Sequence, residues 1–170
     1  MASLEVRFEK ISPVTSILRC TRSDGRSLAM VTPHQPGLPH DLLHWLVETE
    51  LGFGDAMFGQ LLRNENLREE PSTGSFAGFD ADTTDSVNAE TIASTLDWVD
   101  WSQAPDWQEL RRQCAESFAY YHLPMPELPE ARWQALQAAL AAMLARWPTL
   151  PVGGVLSFRY PPLAEGSGKP

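Results

Sequence analysis

The N-terminal part of the chain alternates apolar and polar residues with a period of two, and this pattern constrains the fold most strongly. Such alternation is typical of half-buried strands, and it extends over residues 4–11, 14–22 and 26–32. Ser12-Pro13 interrupts it first, and Ser23-Asp24-Gly25 is a turn signal of the Asp-Gly type. Three short consecutive strands joined by tight turns predict an antiparallel meander.

A helical period replaces the alternation after Pro39, which we expect near the first position of a helix that ends at Gly52. A short helix is predicted at residues 55–63, and residues 64–88 are expected to be the least structured stretch. Asn88 or Ser86 is predicted to cap the next helix. The three later helices carry these apolar stripes: Ile92, Leu96 and Val99; Trp107, Leu110, Cys114, Phe118 and Tyr121; Trp133, Leu136, Leu140, Leu144 and Trp147.

The order of these elements predicts the fold class. Residues 152–160 read as one more strand, and a lone strand after three helices needs a sheet edge to pair with. We therefore predict an α+β fold, in which the N-terminal strands and the C-terminal strand form one antiparallel sheet with helices packed on one face. Residues 1–160 are expected to form a single domain, and residues 161–170 a flexible tail.

Three of the four histidines, His34, His40 and His44, fall within eleven residues. His40 and His44 are four residues apart, so a helix places them one turn apart on one face, and Glu48 continues the same stripe. A His-x-x-x-His pair is the usual way in which a helix offers two imidazoles to one metal ion. We predict a divalent metal, zinc before others, with His40 and His44 as ligands.

A catalytic metal site needs a third protein ligand and an open position. Glu48 is a candidate ligand on the helix, and His34, Asp55 and His122 are candidates from loops. The His40-Asp41-x-x-His44 motif is one methylene shorter than the HExxH motif of metalloproteases, so Asp41 would reach a metal-bound water less well than their glutamate. We therefore expect a reaction other than proteolysis, with Asp41 or Glu48 as the base or as support for the ligands.

Two further interpretations of the histidine pair stay open. His40 and His44 fit a structural pair that is hydrogen-bonded at the sheet–helix interface, with Asp41 serving only the start of the helix. They also fit a metal-free acid/base site, because a histidine beside a carboxylate titrates near neutral pH.

Three segments resemble a group of uncharacterised bacterial proteins: residues 38–48 (LPHDLLHWLVE), 58–61 (FGQL) and 146–154 (RWPTLPVGG). That group pairs an LPHDLxHxxVE helix with a C-terminal strand led in by LPxGG, and the resemblance implies a shared fold and no reaction. More distantly, the HDxxH motif is similar to the zinc motif of a ubiquinone-biosynthesis family. That family has a glutamate twelve residues after the second histidine. This chain has Ala56 there, with Asp55 beside it.

Composition excludes several classes of partner. A net charge of −9 argues against nucleic acid and against anionic membrane surfaces. The N-terminal residues lack the layout of a signal peptide, no apolar run approaches the length of a membrane span, and Cys20 and Cys114 lack CxxC spacing. These features predict a cytoplasmic protein with reduced thiols.

Two functions are consistent with the sequence. The first is a small metal-dependent enzyme, of hydrolase or lyase type, built on the HDxxH helix. The second is a non-catalytic binding or accessory protein. It would use the acidic residues 69–110 and exposed aromatics such as Trp98 and Trp101 against a basic or apolar partner.

Overall fold

The computed structural model describes residues 2–35, 37–64, 66–70, 75–103 and 105–161. Within them the strands are β1 (Leu4–Ser12), β2 (Thr15–Arg22), β3 (Ser27–Pro33), β4 (Arg68–Glu70), β5 (Ser75–Ala77) and β6 (Val155–Tyr160). The helices are α1 (His40–Leu51), α2 (Met57–Arg63), α3 (Thr84–Leu96), α4 (Trp107–Tyr120) and α5 (Glu130–Arg146), with a 3-10 turn at Trp101–Gln103. The predicted tail lies outside the described residues from 162 onward.

The predicted antiparallel sheet is confirmed, with the strand order β3-β2-β1-β6. β6 pairs with β1 in a register that places Phe8 opposite Leu156 and Leu4 opposite Tyr160. The C-terminal strand therefore completes the N-terminal meander, as an α+β fold requires. The strand itself is three residues shorter than predicted, because Gly153 has a positive φ of 82° and belongs to the turn that leads into β6.

One face of the sheet is buried under the helices. Leu4, Val6 and Phe8 of β1 are at most 1% exposed, as is Leu18 of β2. Lys10 follows on the same face and is also buried, because its Nζ donates to the carbonyls of residues 147, 148 and 150 beyond the end of α5. A lysine suits this place, because its positive charge lies near the negative end of the α5 dipole.

α1 packs against both the sheet and other helices. The Trp45 ring stacks on Phe158 of β6, with ring centroids 5.1 Å apart, while α1 also contacts α3 and α5. Gly52 ends the helix as predicted: its φ is 82°, and its N–H donates to the carbonyl of Glu48. Eight of the twelve α1 residues are buried, so α1 is the central helix of the core.

The stretch predicted to be least structured differs from that expectation in two ways. β4 and β5 form an antiparallel hairpin, whose connecting residues 71–74 lie outside the described part. α3 begins at Thr84, and Thr83 is its N-cap, because the Thr83 hydroxyl accepts from the Ser86 N–H. The cap predicted at Asn88 or Ser86 is therefore wrong by several residues. Both of those residues are buried inside the helix.

Candidate metal centre

The two histidines of α1 face α3. Pro39, with a φ of −57°, precedes the first turn of α1 and sets its start, so His40 and His44 fall one turn apart on one side. Their rings lie edge to face with centroids 4.7 Å apart. The His40 side chain is 31% exposed and that of His44 is 11% exposed. The pair thus lies at the rim of the core, reachable by solvent from one side.

α3 contributes Glu90 to the same place. His44 Nε2 lies 2.9 Å from Glu90 Oε2 and 3.1 Å from His40 Nε2. The third side of the triangle, from His40 Nε2 to Glu90 Oε2, is 3.6 Å. Within the described ranges, this is the one group of three or more His, Cys, Asp or Glu side chains whose ligand atoms converge closely enough for one ion.

The size of this triangle fits zinc. A point equidistant from its three corners lies about 1.9 Å from each of them, just under the 2.0–2.1 Å of zinc–nitrogen bonds. An ion slightly out of the plane would therefore reach all three atoms at normal bond lengths. Three protein ligands would leave one tetrahedral position open, which is the arrangement of catalytic zinc sites.

A separate hydrogen bond holds each corner of the triangle. His40 Nδ1 donates to Asp97 Oδ2 at 2.6 Å, and His44 Nδ1 donates to Glu48 Oε1 at 3.3 Å. The hydroxyl of Ser94 donates to the other oxygen of Glu90 at 2.6 Å. Carboxylates on the far nitrogen of a ligating histidine fix its tautomer and its orientation.

These bonds decide where the lone pairs point. Because each Nδ1 carries the proton that it donates, each Nε2 of a neutral ring presents its lone pair to the shared point. The Glu90 carboxylate adds a third electron-rich atom there. Three converging acceptors repel each other unless a cation, either a metal ion or a proton, lies among them.

The titration of the cluster reflects this demand for positive charge. Burial lowers the pKa of both histidines, but hydrogen bonds to carboxylates outweigh this effect. His40 is bonded to Asp97 and Glu90, and His44 is bonded to Glu48 and Glu90. The pKa values rise to about 10 and about 9 respectively. The same two histidines hold the pKa of Glu90 well below its usual range. Burial raises the pKa of Glu48, with His44 opposing part of the rise.

Of the two residues predicted to be catalytic, Glu48 lies at the site and Asp41 is directed elsewhere. Glu48 is 2% exposed, and its second oxygen accepts from the backbone N–H of Phe58 at 2.9 Å. Asp41 accepts from the Thr32 hydroxyl of β3 at 2.6 Å, which ties the first turn of α1 to the sheet. Their catalytic roles stay predictions.

The loop residues offered as third ligands lie apart from the cluster. His34 is edge-on to Trp147, with ring centroids 6.3 Å apart, and Asp55 forms an ion pair with Arg63. His122 follows the end of α4 with a φ of 55°. The converging carboxylate is instead Glu90, which was not among the residues predicted from the sequence.

A sequence signal for Glu90 existed. Glu90 and Asp97 are seven residues apart, so they lie on the same face of a helix two turns apart. Two carboxylates on one helix face are complementary in charge to two histidines on one face of a neighbouring helix. The pairing of α1 with α3 is a tertiary fact, however, and only the structure supplies it.

Two cavities adjoin the site. One of about 210 Å³ is bordered by His44, Glu48 and Glu90, with apolar side chains beyond them. The other, of about 600 Å³, borders His40 and Asp97 and reaches Trp98 and Trp101. The smaller cavity adjoins the candidate ion position, and the larger one lies on the Asp97 side of His40.

Comparison with protein-family models, with curated proteins and with solved structures gave no match to this chain. The family resemblance and the similarity to an HDxxH zinc motif therefore stay predictions. Among the described helices, none combines the length and the apolar character needed to cross a bilayer.

Proposed function

We propose that the protein binds one divalent metal ion, zinc before others, through His40 Nε2, His44 Nε2 and Glu90 Oε2. The observation that carries this proposal is the support behind every ligand: each atom of the triangle belongs to a side chain fixed by its own hydrogen bond. These supports are, in the same order, Asp97, Glu48 and Ser94. A chance meeting of surface side chains would not require them.

The reaction class that fits this ligand set is hydrolysis or elimination by a small metal-dependent enzyme. Zinc lowers the pKa of a bound water to about 7 and polarises a carbonyl oxygen. In hydrolysis the water oxygen bonds to the carbonyl carbon, the bond to the leaving group breaks, and the leaving group takes up the water's proton. Glu48 is the better placed of the two predicted bases, since it borders the same cavity as His44 and Glu90.

Elemental analysis of untagged protein tests the proposal. Wild type should carry about one equivalent of zinc after exposure to it and dialysis. His40→Ala, His44→Ala and Glu90→Gln should each lose most of it, because two remaining ligands hold zinc poorly. His122→Asn is the matched control, since this histidine is exposed and asparagine tolerates its positive φ.

Two results would contradict the proposal. One is wild-type protein with less than about a tenth of an equivalent of any transition metal. The other is a Glu90→Gln variant that keeps its full zinc content, because the third ligand would then lie elsewhere.

A second candidate function is that of a non-catalytic binding or accessory protein. Trp98, Tyr120 and Tyr121 border one open groove and are 90%, 77% and 61% exposed. Clustered exposed aromatics are typical of interaction surfaces. Trp101 was also predicted to be exposed, but it is half-buried, because its indole N–H donates to the carbonyl of Leu96 at 3.3 Å.

The partner that fits this second candidate is a basic segment of another protein. Residues 69–110 contain ten carboxylates and no Lys or Arg, and cations bind favourably over exposed indole and phenol rings. An arginine-rich peptide should then quench tryptophan fluorescence in wild type and leave Trp98→Ala unaffected. Equal responses of the two proteins, or binding of an acidic peptide of the same length, would contradict this candidate.

For the compartment we propose the cytoplasm. The support is chemical: Cys20 and Cys114 are both free and buried, which suits a reducing environment. The net charge of −9 supports neither nucleic acid nor an anionic membrane as the partner.

A further inference from the structure

The smaller of the two cavities beside the candidate metal centre has a composition that specifies its ligand. His44 and Glu90 border it on the side of the metal ligands, and Glu48 lies next to them. The rest of its wall is mainly apolar and comes from α2, α3 and the segment between them. We call this space the Phe79 pocket; its apolar wall is Ala56, Met57, Phe79, Ala81, Val87 and Ala89.

The hydroxyl groups in the pocket wall already form hydrogen bonds within the protein. The Ser86 hydroxyl donates to the carbonyl of Asp80 at 3.0 Å and accepts from the Gln60 amide at 3.2 Å. The Thr91 hydroxyl donates to the carbonyl of Val87 within α3 at 2.7 Å. A ligand in the pocket therefore meets apolar surface on one side and the metal ligands on the other.

The charge of the wall disfavours anions. Glu48 and Glu90 are the charged side chains of the described wall besides His44, and neither Lys nor Arg contributes to it. Sites for phosphate or carboxylate ligands normally present arginine, lysine or free backbone N–H groups. A phosphate ester or a carboxylate with its charge inside this pocket would face two glutamates.

The volume limits the part of a ligand that lies inside the pocket. An apolar cavity of about 150 Å³ accepts benzene, and the Phe79 pocket has about 210 Å³. A phenyl ring or a branched chain of about six to eight carbon atoms would fill it. The larger cavity of about 600 Å³ lies on the Asp97 side of His40, whereas the Nε2 atom of His40 points to His44 and Glu90. The apolar part of a ligand that is bound at the ion therefore belongs in the Phe79 pocket.

We infer that the proposed metal centre takes small uncharged carbonyl compounds, with the carbonyl oxygen at the ion and a compact apolar arm in the Phe79 pocket. This inference rests on the proposed function, because the ion is what holds the polar end. The metal charge then binds the polar end of the ligand, and the apolar surface of the pocket binds its apolar arm. Nucleotides, sugar phosphates and anionic amino-acid side chains fit this wall poorly, because Glu48 and Glu90 border it.

Hydroxamates test this division, because they offer the same metal-binding group with different arms. Zinc-loaded protein, with its zinc content first measured by elemental analysis, is titrated calorimetrically with acetohydroxamate, benzohydroxamate and 4-carboxybenzohydroxamate. Benzohydroxamate should bind at least about tenfold more tightly than acetohydroxamate, since its ring leaves water. The carboxylate of the third compound should cancel that gain.

Filling the pocket supplies the second arm of the experiment. Val87→Phe should abolish the preference for the benzene ring while the zinc content stays at the wild-type value. Val152→Phe is the matched control, since Val152 is 65% exposed and lies outside the pocket wall. It should keep the wild-type preference.

The failures are distinguishable. A wild type that takes up no zinc would overturn the proposed function and this inference together. Full zinc content with equal affinities for acetohydroxamate and benzohydroxamate would overturn the inference alone, as would a ring preference that survives Val87→Phe.

Discussion

At the scale of single residues, protonation and metal binding compete for the same nitrogen atoms. His40 and His44 cannot both direct an Nε2–H at the other across 3.1 Å, so in the metal-free protein the pair and Glu90 titrate as one unit. Hydrogen bonds to Asp97, Glu48 and Glu90 hold the pKa of both rings above neutral, so the metal-free pair carries at least one extra proton at pH 7. Zinc must then displace at least one proton in order to bind.

We therefore expect zinc affinity to rise with pH. The folded pKa of His44 is about 9, above the value of about 6.5 in an unfolded chain. The metal-free fold thus gains stability from this proton below pH about 6.5 and loses it as the pH rises towards 9. Over the same window the proton competes less with zinc. Competition with a chelator should show affinity rising by about tenfold per pH unit for each proton displaced.

Calorimetry in two buffers with different ionisation enthalpies measures the number of protons released on zinc binding. At least one proton should be released per zinc at pH 7. An affinity that stays flat between pH 6.5 and 8.5, with no proton release, would contradict the competition.

At the scale of elements, sequence periodicity located most helices and strands but missed the partner of the histidine helix. Pro39 and Gly52 mark the ends of α1 by backbone chemistry alone, so they were readable. Lys10 was misleading, because a lysine at a core-facing position of the alternation indicates exposure, whereas this one is buried. Its burial is explained only by the carbonyls beyond the end of α5, to which it donates. Glu90 was missed for a similar reason: a carboxylate on a helix surface becomes part of a site only when another helix, here α1, packs against it.

The contact between α1 and α3 gives a prediction about Asp97. Asp97→Asn should weaken zinc binding by roughly 10–100-fold, because an amide holds the His40 tautomer less well than a carboxylate. Folding should change little, since the Asp97 side chain is 39% exposed. Zinc affinity and thermal unfolding of the metal-free protein are the measurements. Asp82→Asn, an exposed change before α3, is the control and should match wild type in both.

At the scale of the whole molecule, the candidate centre joins two helices that also build the core. The sheet and its closure by β6 followed from alternation and from the need of a lone strand for an edge, so the α+β fold was predictable. The site was predictable only in its α1 half. Its third corner and its supports require knowledge of which helices touch, which a single sequence does not contain.

Joining α1 to α3 through an ion should stabilise the fold. At a free zinc concentration of about 100 times Kd, linkage contributes about 2.7 kcal/mol. For a chain of this length that corresponds to a rise in Tm of about 5–10 °C. His44→Ala should show no rise at the same zinc concentration. A rise of equal size in the variant would mean that zinc acts at another place.

The most direct test of the metal centre is a crystal structure of zinc-loaded protein with anomalous data collected on both sides of the zinc absorption edge. We predict one peak among His40 Nε2, His44 Nε2 and Glu90 Oε2, with bonds of about 2.0–2.1 Å and a solvent or ligand atom in the fourth position. The Nδ1 atoms should keep their bonds to Asp97 and Glu48. A fully occupied zinc peak elsewhere, or none at this triangle in zinc-saturated crystals, would contradict the account.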